Sequence, residues 1–313
     1  MKFFDLHCDT ADAMYYNKEG FKSNSCHVSL DKAAAFDKYV QLCAIFTSPK
    51  LSDDEGWQTF LEIRENLLSE CEKNGVEVLY SAADLEKFNE SKKKNAVIIT
   101  VEDARILDGK IERVKEMYNL GVRVVTPLWG GKTCMGGSHD TDEGLSEFGK
   151  AAVREMAKIG IISDISHSSF KSADDILDIC ESEGVSPVAT HMNSYSVCSH
   201  SRNLTDKRFL RLVSLGGIAG VSLCPPHLVE KFERGDAAKL EVIVPHFKKY
   251  EELSPSHVCF GCDMDGTNLP EGISGLDGIP TALQLLAESG FNPAQIEAIS
   301  YDTAYNFMKD NLK

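Results

Sequence analysis

The sequence predicts a (β/α)8 barrel. Three observations carry that expectation: 313 residues fit one barrel of about 250 residues with insertions, eight apolar β-branched runs alternate with amphipathic segments, and ligand-type polar residues close many of the runs. An open doubly wound sheet shares the same local pattern. The polar residues decide between the two, because a barrel gathers the C-terminal ends of its strands on one face.

In order, the predicted strands are FFDLH ending at His7, YVQLCAIF at Phe46, AVIITVE at Glu102 and VRVVTPLW at Trp129. GIISDISH then ends at His167, VSPVATH at His191, GIAGVSL at Leu223 and HVCFGCD at Asp263. Helical spacing fills the gaps, for example over 53–75, 143–160 and 168–184, and the last two stretches end in glycine, as helix C-termini often do. No linker or composition break divides the chain, so 1–313 reads as a single domain.

Composition narrows the function. Lys and Arg total 33 against 48 Asp and Glu, and the formal net charge of −15 disfavours nucleic acid and anionic membranes as partners. A small-molecule substrate is the expected partner, with a homodimer left open. The opening MKFFDLHCDT has neither a basic leader nor a long apolar run, and the ten cysteines are scattered through a long chain, several in apolar runs such as VQLCAIF. Reduced thiols in a cytoplasmic protein are expected.

The chemistry begins with His7 and Asp9, spaced so that imidazole and carboxylate leave the same face of strand 1. Alone, HxD is an ordinary strand-end pair as often as a metal site. Glu102 ends the third strand, either salt-bridged or as a carboxylate spanning two cations about 3.5–4 Å apart. His167 and His191 bring imidazoles to equivalent positions of successive repeats, which favours a metal over two separately hydrogen-bonded core residues. Asp263 closes the last strand as a base or ligand, with Asp265 its rival in the same motif. Trp129 is a pocket wall or barrel core. His139 and His200 read as solvated, with His200 near the entrance, and His27, His227, His246 and His257 as structural.

Taken together, these motifs resemble the membrane (renal) dipeptidase family of metal-dependent hydrolases over almost the whole chain. DLHCD matches the family's opening D-x-H-x-D, DISH and THMNS its next ligand elements, RNLTD its RN-x-x-D, and GCDMDG its closing G-x-D-x-D-G. The resemblance implies a zinc-dependent dipeptidase. Two Zn²⁺, for which Mn²⁺ or Fe²⁺ could substitute, would be held by His7, Asp9, Glu102, His167 and His191. The peptide bond would be attacked by a metal-bridging hydroxide, with Asp263 as catalytic acid–base and Arg202 on the substrate carboxylate. Two positions depart from the family pattern: Trp129 stands where mammalian members place a substrate-contacting His, and Cys224 stands where an aromatic residue often precedes the PP pair. Those departures leave open a related hydrolase of a non-peptide amide or lactone, and a catalytically silent metal-binding barrel.

Overall fold

The computed structural model describes residues 1–233 and 236–313. Seven parallel strands, β1 (Lys2–Cys8), β2 (Lys38–Phe46), β3 (Asn95–Glu102), β4 (Val122–Thr126), β5 (Ile162–Ser163), β6 (Ala219–Val221) and β7 (Val258–Phe260), form one curled sheet. Its order is β5-β4-β3-β2-β1-β7-β6, so sequence neighbours are neighbours in space and the last strand returns to the first.

The gap between β5 and β6 is bridged by Val188, which pairs with Asp164, and by Ala189, which pairs with Ala219. These contacts close an eight-position (β/α)8 barrel. The expected sixth strand is therefore present as two bridging residues rather than a regular strand. Pro187 has no N–H to extend the ladder, and just beyond the bridge the Asp164 side chain takes the Thr190 amide. Four further ends move inward. β4 stops at Thr126 before Pro127, not at Trp129, and β5 stops at Ser163, so His167 lies in the following turn with φ 64°. β6 stops at Val221 rather than Leu223, and β7 stops at Phe260, so Asp263 lies in the loop that follows. A two-residue strand, Glu77–Val78, was not expected; it pairs with Ala96 and Val97 at the start of β3.

The helices follow local signals. Ser52 and Glu55 form a reciprocal cap at the start of Asp53–Asn74, and Ser169 caps Phe170–Glu183. The helix expected over 143–160 begins only at Glu147, because Gly136–Leu145 pairing uses the preceding backbone and Ser146 provides the cap. All three helices end at glycines in the left-handed region.

β1 is buried on both faces, as expected for a parallel strand between barrel interior and helices. Phe4 and Leu6 pack with Phe307 and Met308 of the helix Thr303–Asn311, while the alternate face carries Asp5 and His7. All ten cysteines are free thiols, nine of them buried. Among the described residues, no helix is long and apolar enough to cross a membrane.

Candidate metal centre

Strand direction places the ligand-type residues at one rim. His7 Nε2 lies 3.4 Å from Asp9 Oδ2 and 3.8 Å from Glu102 Oε1. The same Glu102 oxygen is 2.9 Å from His167 Nε2 and 3.4 Å from His191 Nε2. Asp263 Oδ1 approaches His7 Nε2 at 3.9 Å. Six residues from distant stretches of chain thus converge, and Glu102 sits between the two groups of imidazoles.

Burial makes this cluster costly without a cation. His7 Nε2, both Asp9 oxygens, Glu102 Oε1 and His191 Nε2 are shielded from solvent and have no hydrogen-bond partner. Their arrangement yields triads of potential ligand atoms within 4.8 Å of one another: His7, Asp9 and Glu102; Glu102, His167 and His191; and His7, His191 and Asp263. Imidazole and carboxylate donors in such sets suit divalent cations.

The imidazoles are oriented from behind. His167 Nδ1 is 2.9 Å from the Trp129 carbonyl, so that nitrogen donates and Nε2 keeps its lone pair for the centre. His191 Nδ1 is 2.7 Å from Thr190 Oγ1, which itself donates to Asp164. Asp164 is fully buried and also accepts from Thr126 Oγ1 at 2.6 Å and from the Ser166 and Thr190 amides, both at 2.9 Å. It ties β4, β5 and the sixth position together behind the two imidazoles. Sequence reasoning saw Asp164 only as part of DISH, and its bonding partners lie on three different elements.

Electrostatics follow from the same crowding. Burial works against charge on His7, but the Glu102 and Asp9 carboxylates override it and carry the imidazole up to about 10. Burial, reinforced by Asp9 and Glu102 against the opposing pull of His7, raises Asp263 to about 8. His167 and His191 are held well below the usual imidazole range by burial and by neighbouring positive groups.

Asp263 and Asp265 separate clearly. Asp263 adopts φ 62°, its amide donates to the His7 carbonyl at 3.1 Å, and its carboxylate faces the centre. Asp265 instead accepts from Thr10 Oγ1 and the His27 amide, each at 2.5 Å. The turn needs Gly266: a Cβ there would lie 2.1 Å from Asp9 Oδ2 and 2.5 Å from Asp263 Oδ1.

The family model for membrane dipeptidase, peptidase family M19, matches residues 1–310. The chain belongs to the membrane dipeptidase family. Its curated relatives include an uncharacterized protein in the pqqA 5' region of Klebsiella pneumoniae, 28% identical over 74% of this chain and 87% of that protein. Dipeptidase aclJ of Aspergillus oryzae is 28% identical over 67% of this chain and 50% of its own length. Two solved structures share the fold. A metallopeptidase from Rhodobacter sphaeroides, liganded with a phosphinate mimic of the dipeptide L-Ala-D-Ala, has a TM-score of 0.91 at 22% identity, covering 100% of this chain and 99% of that one. The probable dipeptidase PvdM from Pseudomonas aeruginosa gives 0.87 at 18%, covering 100% and 96%.

In this member of the membrane dipeptidase family, the centre opens into a cavity of about 570 Å³. Arg202 lines it, only 2% exposed, with both terminal guanidinium nitrogens buried and unpartnered. Both departures from the family pattern also line it. Trp129 packs against Phe46 with ring centroids 4.9 Å apart, and Cys224 Sγ lies 3.8 Å from His227 Nε2.

Three residues that sequence reading left aside line the cavity as well. His139, expected to be solvated, is held there by the hydrogen bond its backbone N–H donates to the His167 carbonyl, and its Nδ1 is buried without a partner. His227, expected to be structural, faces the cavity and packs against His200 with centroids 4.7 Å apart. Asp12 projects from the first turn of the helix Thr10–Asn17. For these three, the only sequence signal was residue type, since their approach to the centre depends on loop paths.

Proposed function

We propose that the protein is a dipeptidase that hydrolyses the peptide bond of short substrates with a free C-terminus, using two divalent cations at this centre. The observation that carries the reading is the shared cavity, which brings an unpartnered buried cluster of imidazoles and carboxylates together with an unpartnered buried guanidinium. His7 and Asp9 would hold one cation and His167 and His191 the other, with Glu102 between them. When bound, such a pair supplies Lewis acidity that polarises the scissile carbonyl and makes water nucleophilic near neutral pH. Zinc suits the mixed donors, and manganese or iron accept the same set.

The chain's own groups do the rest. Asp263 accepts the proton of the attacking water and returns it to the leaving amine, a role its position beside His7 supports. Arg202 grips the terminal carboxylate through two parallel hydrogen bonds, which fixes the substrate's direction. Trp129 and Cys224 shape the pocket wall. The dipeptide mimic held by the Rhodobacter sphaeroides relative supports a dipeptide-sized ligand. The free thiols support a reducing compartment such as the cytoplasm.

The test is metal analysis joined to an assay of the zinc-loaded protein on L,L and L,D dipeptides. Turnover of dipeptides, with the Michaelis constant raised in Arg202→Ala, is the expected result. A metal-loaded protein that spares every dipeptide but cleaves lactones or acyl amides would replace this reading with the related hydrolase, and one inert to both with a silent barrel.

A further inference from the structure

The cavity is far more acidic than basic. Asp9, Asp12, Glu102, Asp140, Asp263 and Asp265 all line it, while Arg202 is the only Lys or Arg among the described residues that do. Five of these six carboxylates have work that the structure explains. Asp9, Glu102 and Asp263 belong to the metal centre, Asp265 takes Thr10 and the His27 amide, and Asp140 accepts from the Gly131 amide at 2.8 and 3.1 Å. Asp12 is left over. Its Oδ1 is shielded from solvent and accepts no hydrogen bond, a costly arrangement unless something in the cavity supplies a donor.

We propose that Asp12 is a specificity-determining residue that receives an alkylammonium group carried by the N-terminal half of the substrate. The proposal rests on the dipeptidase reading and adds a second charge requirement to it. Arg202 takes the anionic end, and Asp12 takes a cationic group on the other side of the scissile bond, so the cavity reads charge separation as well as length. Asp12 lies outside the ligand triads, so cation binding at the centre leaves its oxygen still in need of a donor. Burial, with Asp9, Glu102 and Asp265 nearby, holds the Asp12 carboxyl well above its usual range, and the opposite charge of an arriving ammonium favours its ionised form. Two sources offer this chemistry: the α-ammonium of any dipeptide, or the side-chain ammonium of an N-terminal lysine.

Calorimetry on the metal-loaded protein distinguishes them with three phosphinate dipeptide mimics that share a terminal carboxylate. One carries the α-amine, one lacks it, and one lacks it but bears an aminobutyl side chain. At least one ammonium-bearing mimic should bind about tenfold more tightly than the amine-free one, the scale of a charge-assisted hydrogen bond. Asp12→Asn should remove most of that ratio while binding the amine-free mimic as the wild type does. Equal affinities for all three in the wild type would overturn the proposal. So would a ratio that survives in Asp12→Asn, or an equal loss for all three mimics, which marks a merely structural role. Should Asp12→Asn fail to fold, Asp12→Ser and the wild-type ratio still decide. Binding does not require turnover, so a protein that binds with ammonium preference but cleaves no dipeptide overturns the hydrolytic reading alone. Failure to bind any of the three overturns both.

Discussion

Two carboxylates in one loop, Asp263 and Asp265, meet opposite fates because their side chains face different partners. Asp265 is consumed by Thr10 and His27, whereas Asp263 looks across at His7 with no such obligations. Asp263→Asn keeps size and shape but cannot take up a proton, so it should retain both cations and lose turnover by about 10²–10⁴-fold, the usual weight of general acid–base catalysis. Metal content by mass spectrometry and steady-state kinetics check this, and near-normal turnover would remove Asp263 from the chemistry. At this scale the sequence named the type of residue well. The family motif pointed to Asp263, but residue type and strand position alone left Asp265 as its rival, because the two share one motif and only the direction of each side chain differs. His139 was misread for a similar reason: a polar loop looks solvated until its backbone is seen pinned to the His167 carbonyl.

Elements hold the site by close approach. The Thr190 carbonyl passes so near β6 and β7 that a Cβ on Gly261 would sit 1.7 Å from it and one on Gly220 2.1 Å away. Gly261→Ala should therefore push back the segment carrying His191, costing about 1–3 kcal/mol of stability and weakening metal affinity. Thermal unfolding and metal titration measure both, and a variant unchanged in each would show that the barrel yields there without consequence. A second element contact depends on pH. His246 is fully buried; its Nδ1 accepts the Ser194 amide at 3.0 Å and its Nε2 donates to the Leu228 carbonyl at 3.1 Å, an arrangement only the neutral ring can make. Burial lowers its pKa from 6.5 to about 4. A lowered imidazole pKa contributes stability above the unfolded value and loses it as pH falls toward the folded one. Between pH 6.5 and 4 the wild type should lose up to about 3 kcal/mol that His246→Gln does not. Urea midpoints across that range test the difference, and parallel curves would contradict it. Helices such as Asp53–Asn74 were legible because caps and periodicity are local. The sixth barrel position was not, because its pairing depends on partners at Asp164 and Ala219.

For the whole molecule, a cation pair would link β1, β3 and the turns after β5 and the sixth position, so binding should be coupled to folding. Free metal at 100–1,000 times its dissociation constant should add about 3–4 kcal/mol, which a chelator removes. Thermal unfolding with and without chelator tests this, and the shift should shrink in Glu102→Gln. Identical melting with and without saturating metal would sink the two-cation centre. The sequence by itself determined the βα rhythm, the family and the residue types that converge, because hydrophobic period, caps and motif spacing are properties of neighbouring residues. Only the tertiary structure decided how the barrel closes through Val188 and Ala189, that Asp164 braces His191 through Thr190, and that Asp12, His139 and His227 face the cavity. Those facts depend on distances between segments far apart in the chain, which are set by packing and loop path rather than by any local pattern.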